Sequence, residues 1–325
     1  MNAPQLQASD LTYFALASTA GTPMPVEPKT PVGELPEVLG GRYRIERLLG
    51  VGGMGAVYRA RDLLREQFGD PEPYVALKTL SEDFAEYPDA SALLYSEYAL
   101  TTRLSHRHVV RLYNFDIDPD SQRAFITLEL LKGPTLDQLL CERPQGMAWS
   151  ELQGIALPLL EALTYSHSLG VLHGDLKPSN VMLADDGLRL FDYGLGQPLE
   201  GLLPGLPRLC RTRFAAWTPR YAALELLDGG ELTAAADVYA LACVLYELAS
   251  GSHPYRRLSA RQAKAMELDR ALQRPPQLPA HCWPALRLAL AFDEAQRSID
   301  AAGLLHAFSR PAPSRWQRWF GHSHG

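Results

Sequence analysis

Asp175, Lys177 and Asn180 lie together in HGDLKPSN, residues 173–180, and Asp192 follows in FDYG. A carboxylate, an ammonium, an amide oxygen and a second carboxylate at these offsets suit the transfer of a phosphoryl group from ATP to a hydroxyl. That reaction needs a carboxylate beside the attacking hydroxyl and hard oxygen ligands for Mg2+. Asp175 suits the first role, orienting the hydroxyl and taking its proton late. Asn180 and Asp192 suit the second, and Lys177 would neutralise charge on the γ-phosphate. A polar turn with incidental acids has no reason to keep all these offsets.

Two further groups lie upstream. GVGGMGAV, 50–57, fits G-x-G-x-x-G-x-V through Gly50, Gly52, Gly55 and Val57. Glycines at that spacing remove the Cβ atoms that would keep the backbone away from phosphate oxygens. Dinucleotide-binding folds also use G-x-G-x-x-G, but there the loop opens a helix. Here it lies between YRIERLL and AVYRARD, both strand-like, and so reads as a hairpin tip. Gly50, Val51, Gly52, Gly53 and Gly55 are therefore the candidate phosphate cradle. VALK, 75–78, ends a strand pattern on Lys78, one of only five lysines in the chain. Its direction would be set by Glu97 on a following helix, and such a pair positions the α- and β-phosphates.

These residues need a scaffold. YRIERLL, GAVYRARD, YVALKTL, RLYNFDI and AFITLELL read as five strands, and ASALLYSEYALTTRL (90–104) has helical spacing. After Gly133 the pattern turns helical in TLDQLL, ELQGIALPLLEALTYSHSLG, DVYALACVLYELASG, SARQAKAMELDRAL and SIDAAGLLHAF. LRLFDYG after ADDG reads as a hairpin whose exit delivers Asp192. The expected fold is α+β and two-lobed: a small five-stranded antiparallel sheet with one helix, then a larger, mainly helical lobe, with the ligand at their junction. Expected domains are a flexible arm at 1–41, a small lobe at 42–131, a large lobe at 132–309 and an Arg/Trp-containing tail at 310–325.

The bulk composition narrows the function classes. The chain has 325 residues, 46% hydrophobic, with a net charge of −6, which gives no electrostatic case for nucleic-acid binding. Cysteines 141, 210, 243 and 282 are widely spaced, with no zinc-like cluster, and read as free thiols of a reducing compartment. The N-terminus lacks a basic n-region, and the most apolar long window, 234–249, contains Asp237 and Glu247. No transmembrane span and a cytoplasmic location are expected.

On these blocks the chain resembles the eukaryotic-like, Hanks-type bacterial serine/threonine protein kinases over roughly 42–309. The resemblance includes GVGGMGAV, VALK, the helix glutamate, HGDLKPSN, DYG, TPRYAALE, DVYALACVLYELASG and RSID. It implies ATP and Mg2+ as cofactors and protein Ser/Thr hydroxyls as acceptors, the protein's own included. It implies Val57 and Ala76 as the roof over adenine, Met182 as its floor, Leu128 as gatekeeper and Glu129 to Leu131 as the hinge. It also places Thr218 to bond Asp175 and Lys177, and Asp237 to hold the catalytic-loop backbone.

Gly174 stands where protein kinases usually carry Arg, and HGD is common in small-molecule kinases of the aminoglycoside type. Lys177, TPRYAALE and DVYALACVLYEL favour a protein substrate. Without an arginine at 174, a phosphate on Thr212 would lose its usual partner, so basal activity should depend little on that site. Tyr193 replaces the usual Phe, and its hydroxyl needs a partner. Leu224 replaces the family's Pro, while Glu225 and Arg297 keep the family's ion pair. A small-molecule kinase and a nucleotide-binding pseudokinase scaffold remain the rival readings. Signalling input would reach the chain through a metabolite, expression level or a regulatory partner at the arm or tail.

Overall fold

The computed structural model describes residues 35–51, 55–80, 90–194, 196–198 and 217–311. The expectations for the arm up to residue 34, for Gly52 and Gly53, for Thr212 and for the tail from 312 lie outside the described residues. Two compact units divide the chain. One holds the described residues of 1–142 and 165–218, the other those of 143–164 and 219–325.

The first unit is built on an antiparallel sheet of six strands: β1 (Val38–Leu39), β2 (Tyr43–Val51), β3 (Gly55–Asp62), β4 (Tyr74–Leu80), β5 (Leu112–Ile117) and β6 (Ala124–Leu128). They run in the order β1-β2-β3-β4-β6-β5. The five strands expected from alternating apolar residues are all present, and β1 is an addition. Gly40 and Gly41 both have positive φ, +59° and +63°. They turn the chain so that Val38 and Leu39 pair with Arg44 and Tyr43, and Leu39 is fully buried. A two-residue strand has no periodicity to read.

Short helices follow the same logic. In α1 (Leu63–Gln67), Asp62 caps the start, its Oδ1 accepting from the backbone N–H groups of Leu64 and Arg65 at 3.1 and 3.3 Å. Arg42 grips the same carboxylate at 2.7 and 2.8 Å. A cap and an ion pair, rather than an apolar stripe, make this helix, none of whose residues is buried. In α2 (Ala90–Thr101), Ala90, Leu93, Leu94, Glu97, Leu100 and Thr101 are buried, which is the expected three-to-four spacing. The unit also contains α3 (Leu136–Glu142), β7 (Val171–Leu172), a 3-10 turn at Pro178–Asn180, the hairpin β8 (Val181–Ala184) and β9 (Gly187–Leu190), and β10 (Gln197–Pro198) paired with β7. The hairpin before Asp192 forms as its ADDG turn suggested.

The helix α4 (Trp149–Ser168) precedes β7 in the chain. The second unit further contains α5 (Leu224–Leu227), α6 (Ala234–Ser250), α7 (Ala260–Ala265), α8 (Trp283–Ala289) and α9 (Ala301–Ser309). Helix α6 is apolar nearly all round and buried from Ala236 to Leu245 and again from Glu247 to Ala249, as a core helix should be. Its ends are set by Thr233, which caps Ala236 N, and by Gly251 in the left-handed region. Glu247, buried in this helix, accepts from Tyr221 Oη at 2.6 Å. Arg297 pairs with both oxygens of Glu225, at 2.7 and 3.2 Å, as expected. The helix expected through 259–272 stops at Ala265. The Ser259/Gln262 capping box starts it, and Glu267 at φ +52° is incompatible with its continuation.

Candidate active site

Lys78 lies in β4 between Val57 of β3 and Ile126 of β6. Alternation along the strand points its side chain away from that of Leu77. Lys78 is only 7% exposed, and its ammonium donates to both carboxylate oxygens of Glu97 at 2.7 Å and to Asp192 Oδ1 at 2.8 Å. Burial by itself would push Lys78 down, but the carboxylates of Asp192 and Glu97 outweigh it and hold the ammonium above its ordinary value. Burial raises Glu97, opposed by Lys78. For Asp192, burial is outweighed by the ammoniums of Lys78 and Lys177, and its carboxyl is held below the ordinary range. The three residues form one buried cluster, an ammonium held between two carboxyl groups.

The loop after β7 supplies the next group. Lys177 Nζ lies 2.5 Å from Asp175 Oδ2 and 3.1 Å from Thr218 Oγ1. The Thr218 backbone N–H donates to Asp175 Oδ1 at 3.2 Å. Thr218 thus meets both residues, as the resemblance implied, although it reaches Asp175 through its backbone. Burial raises the Asp175 carboxyl above its ordinary value, with Lys177 pulling the other way. An aspartate tuned upwards is a better acceptor for a hydroxyl proton. Gly174, just before it, has φ +84°, a region L side chains rarely adopt, which is a backbone reason for glycine there.

Asn180 and Asp192 are brought close by the backbone: Phe191 N donates to Asn180 O at 3.0 Å. Asn180 is fully buried. Its Nδ2 donates to Asp175 O at 2.8 Å, while Oδ1 has no hydrogen-bond partner. A buried amide oxygen left open next to a carboxylate fits a hard divalent cation. Asp192 itself adopts φ +66°, a sparsely populated conformation for a non-glycine residue and one met at functional sites. The Tyr193 hydroxyl does find its partner: Ser166 Oγ of α4, at 2.8 Å, with both residues buried. No sequence signal singled out Ser166, because the bond joins residues 27 apart.

Val57, Ala76, Leu128, Leu131 and Met182 share one buried apolar cluster with Leu49, Val110 and Phe191. Sequence reasoning did not name the last three; alternation in YRIERLL carried a signal only for Leu49. Gly50 and Val51 pair with Val57 and Ala56 across the hairpin. Gly55 is demanded by packing, since a Cβ there would lie 2.0 Å from Thr79 O. Glu129 sends its side chain back: Oε1 accepts from Arg111 N at 2.8 Å and from Arg189 Nε at 3.3 Å.

Residues 43–308 match the protein kinase domain family. The chain is 33% identical over 310 residues to the DNA damage-responsive serine/threonine-protein kinase RqkA of Deinococcus radiodurans, covering 93% of this chain and 43% of that protein. It is 32% identical over 268 residues to serine/threonine-protein kinase PkaA of Streptomyces coelicolor, covering 78% and 47%. It is 33% identical over 270 residues to PknD of Mycobacterium tuberculosis, covering 81% and 39%. The chain spans less than half the length of these curated relatives. Among solved structures, the PknI kinase domain of Mycobacterium tuberculosis superposes with a TM-score of 0.60 at 25% identity, covering 83% of this chain and 96% of that one. This likeness carries the two-lobed kinase fold expected from the sequence.

Proposed function

The chain belongs to the protein kinase family, and on that premise we propose that it transfers the γ-phosphoryl group of ATP to serine and threonine hydroxyls of proteins, its own included. Family membership implies ATP and a divalent metal; Mg2+ is the proposed ion. When bound, the nucleotide and its metal supply the phosphoryl group and the positive charge that draws it away. Everything else falls to side chains of the first unit. Lys78, aimed by Glu97, would hold phosphate oxygens under the loop Gly50, Val51, Gly52, Gly53 and Gly55. Asn180 and Asp192 would hold the metal. Asp175 would orient the acceptor hydroxyl and take its proton, with Lys177 offsetting charge as it moves. Val57, Ala76 and Met182 would enclose the adenine beside Leu128, with Glu129 and Leu131 offering backbone groups.

The observation that carries this reading is the buried Lys78 ammonium between Glu97 and Asp192 at 2.7–2.8 Å. A protein with no nucleotide to bind has little use for that cluster, because a buried ion pair is a weak source of stability. The proposed lobes, 42–131 and 132–309, are supported by a six-stranded sheet that ends at Leu128 and by a mainly helical stretch from Leu136 onward. ATP is a cytosolic compound, so the proposed place of action is the cytoplasm. No described helix is long and apolar enough to cross a membrane.

Incubation with Mg-ATP followed by intact-mass measurement tests the proposal. The parent should gain phosphate on itself or on a generic protein acceptor. Asp175→Ala and Lys78→Ala should each slow labelling by about two orders of magnitude or more. Parental labelling by the Asp175→Ala protein would overturn the assigned role. A parent that labels only small hydroxylated metabolites would move the function to the small-molecule class.

A further inference from the structure

A second concavity, of about 360 Å³, lies in the first unit behind the Lys78 cluster. Its walls come from the end of α2 and the loop after it (Thr101, Ser105, Arg107), from Arg111 before β5, from Glu129 after β6 and from Arg189 of β9. Three guanidiniums and one carboxylate therefore line it, and Arg189 is held from outside by Asp186 at 2.5 Å. The Glu129 carboxylate is already engaged, by Arg111 N and by Arg189. Arg107 and Arg111 make no ion pair with any described residue, so two guanidiniums are left to meet an anion. Thr101 is only 2% exposed, yet its Oγ1 has no hydrogen-bond partner. The buried hydroxyl is unmet, and the two unpaired guanidiniums are exposed where an anion can reach them.

The walls are held in place. Ser105 N donates to Tyr165 Oη at 3.2 Å, and the neighbouring His106 ring stacks on Tyr165 at 5.0 Å. Leu190 N donates to His108 O at 2.8 Å, and Val110 N donates to Leu190 O at 2.9 Å. The floor is thus hydrogen-bonded to the strand carrying Arg189.

We propose that this pocket binds a small phosphate monoester bearing hydroxyl groups, of sugar-phosphate size. Arginine forks match phosphate oxygens bidentately, better than they match a diffuse or neutral ligand. The exposed Ser105 hydroxyl matches a ligand hydroxyl. The volume lies in the range of small-molecule sites and is too small for a folded partner. Placement gives the ligand a consequence. Thr101 lies one helical turn beyond Glu97 on α2, and Arg189 lies three residues before Asp192. A ligand touching both ties together the two elements whose carboxylates hold Lys78. The site stands whether or not the chain transfers phosphate.

Titration calorimetry on the full chain with glucose 6-phosphate, inorganic phosphate and glucose tests it. Glucose 6-phosphate should bind saturably, inorganic phosphate more weakly and glucose not at all. The Arg107→Ala/Arg111→Ala double variant should bind glucose 6-phosphate about tenfold more weakly or worse. Both residues are exposed, so its melting temperature should match the parent's. Arg103→Ala, exposed and outside the pocket, should change nothing. Lys78→Ala should retain binding. Equal affinity in the double variant would overturn the proposal, as would loss of binding in Lys78→Ala, which would put the anion at the glycine loop. Absence of saturable binding, or equal affinity for inorganic phosphate, would also overturn the assigned ligand class.

Discussion

Asp175 is pulled in opposite directions by its surroundings: burial raises its carboxyl, and the adjacent Lys177 ammonium lowers it, with burial the stronger. The sign of the pH effect follows. A raised acid keeps its proton to a higher pH, so the acceptor form is lost as pH falls through a value above the ordinary aspartate 3.8. The acid limb of kcat/KM should therefore lie above that value and move to still higher pH in Lys177→Met, where the opposing ammonium is gone. Initial rates from about pH 4.5 to 8 would show it. A limb at or below the ordinary value, or one unmoved by Lys177→Met, would contradict the assignment of Asp175 as proton acceptor. Gly174 beside it shows another residue-level effect. Its φ of +84° suits glycine, so the missing arginine has a conformational correlate.

Elements are joined by bonds that no single element contains. Tyr193, one residue after Asp192, is tied to α4 through Ser166. With both groups buried, Tyr193→Phe removes this bond and should cost roughly 1 kcal/mol of stability. Ser166→Ala should cost a similar amount. The double variant should cost less than the sum of the two, because the shared bond can be lost only once. Denaturant unfolding of the four proteins measures the coupling; full additivity would show that the bond contributes nothing. The same logic explains Gly55, where β3 and β4 approach so closely that Thr79 O occupies the space of a Cβ.

At the scale of the whole molecule, His253 links stability to pH. Burial pushes it down from 6.5 to about 3, outweighing the hydrogen bond to Arg220 that favours the proton, with Arg220 and Arg257 also opposing the charged form. Its geometry fixes the neutral tautomer: Nε2 donates to Arg220 O at 2.9 Å, and Nδ1 accepts from the backbone of Tyr255 and Arg257 at 3.2 and 3.3 Å. A depressed folded-state value means full stability above the unfolded value, lost as pH falls from 6.5 towards 3. The slope from this one group approaches roughly 1.4 kcal/mol per pH unit inside that window. Melting temperature should decline between about pH 6.5 and 5, and His253→Gln should flatten that decline while lowering stability at neutral pH. An unchanged slope in the variant would show that the histidine charges freely in the folded state.

Most of the candidate site was legible without coordinates, because its members lie at fixed short offsets within single turns and hairpins. HGDLKPSN, FDYG and GVGGMGAV each encode their own geometry, and the five main strands and α2 announce themselves by apolar periodicity. Of the pairings that close over long sequence separations, Lys78 with Glu97 was legible from the strand and helix patterns, and Glu225 with Arg297 through the resemblance. Only the tertiary structure decided the rest. Ser166 as the partner of Tyr193, Arg189 as the partner of Glu129, the added strand at Val38–Leu39 and the basic pocket beside Thr101 all depend on which distant segments come into contact. A hydrogen bond or an ion pair is set by approach within a few ångströms, and the linear order of residues leaves no periodic trace of it.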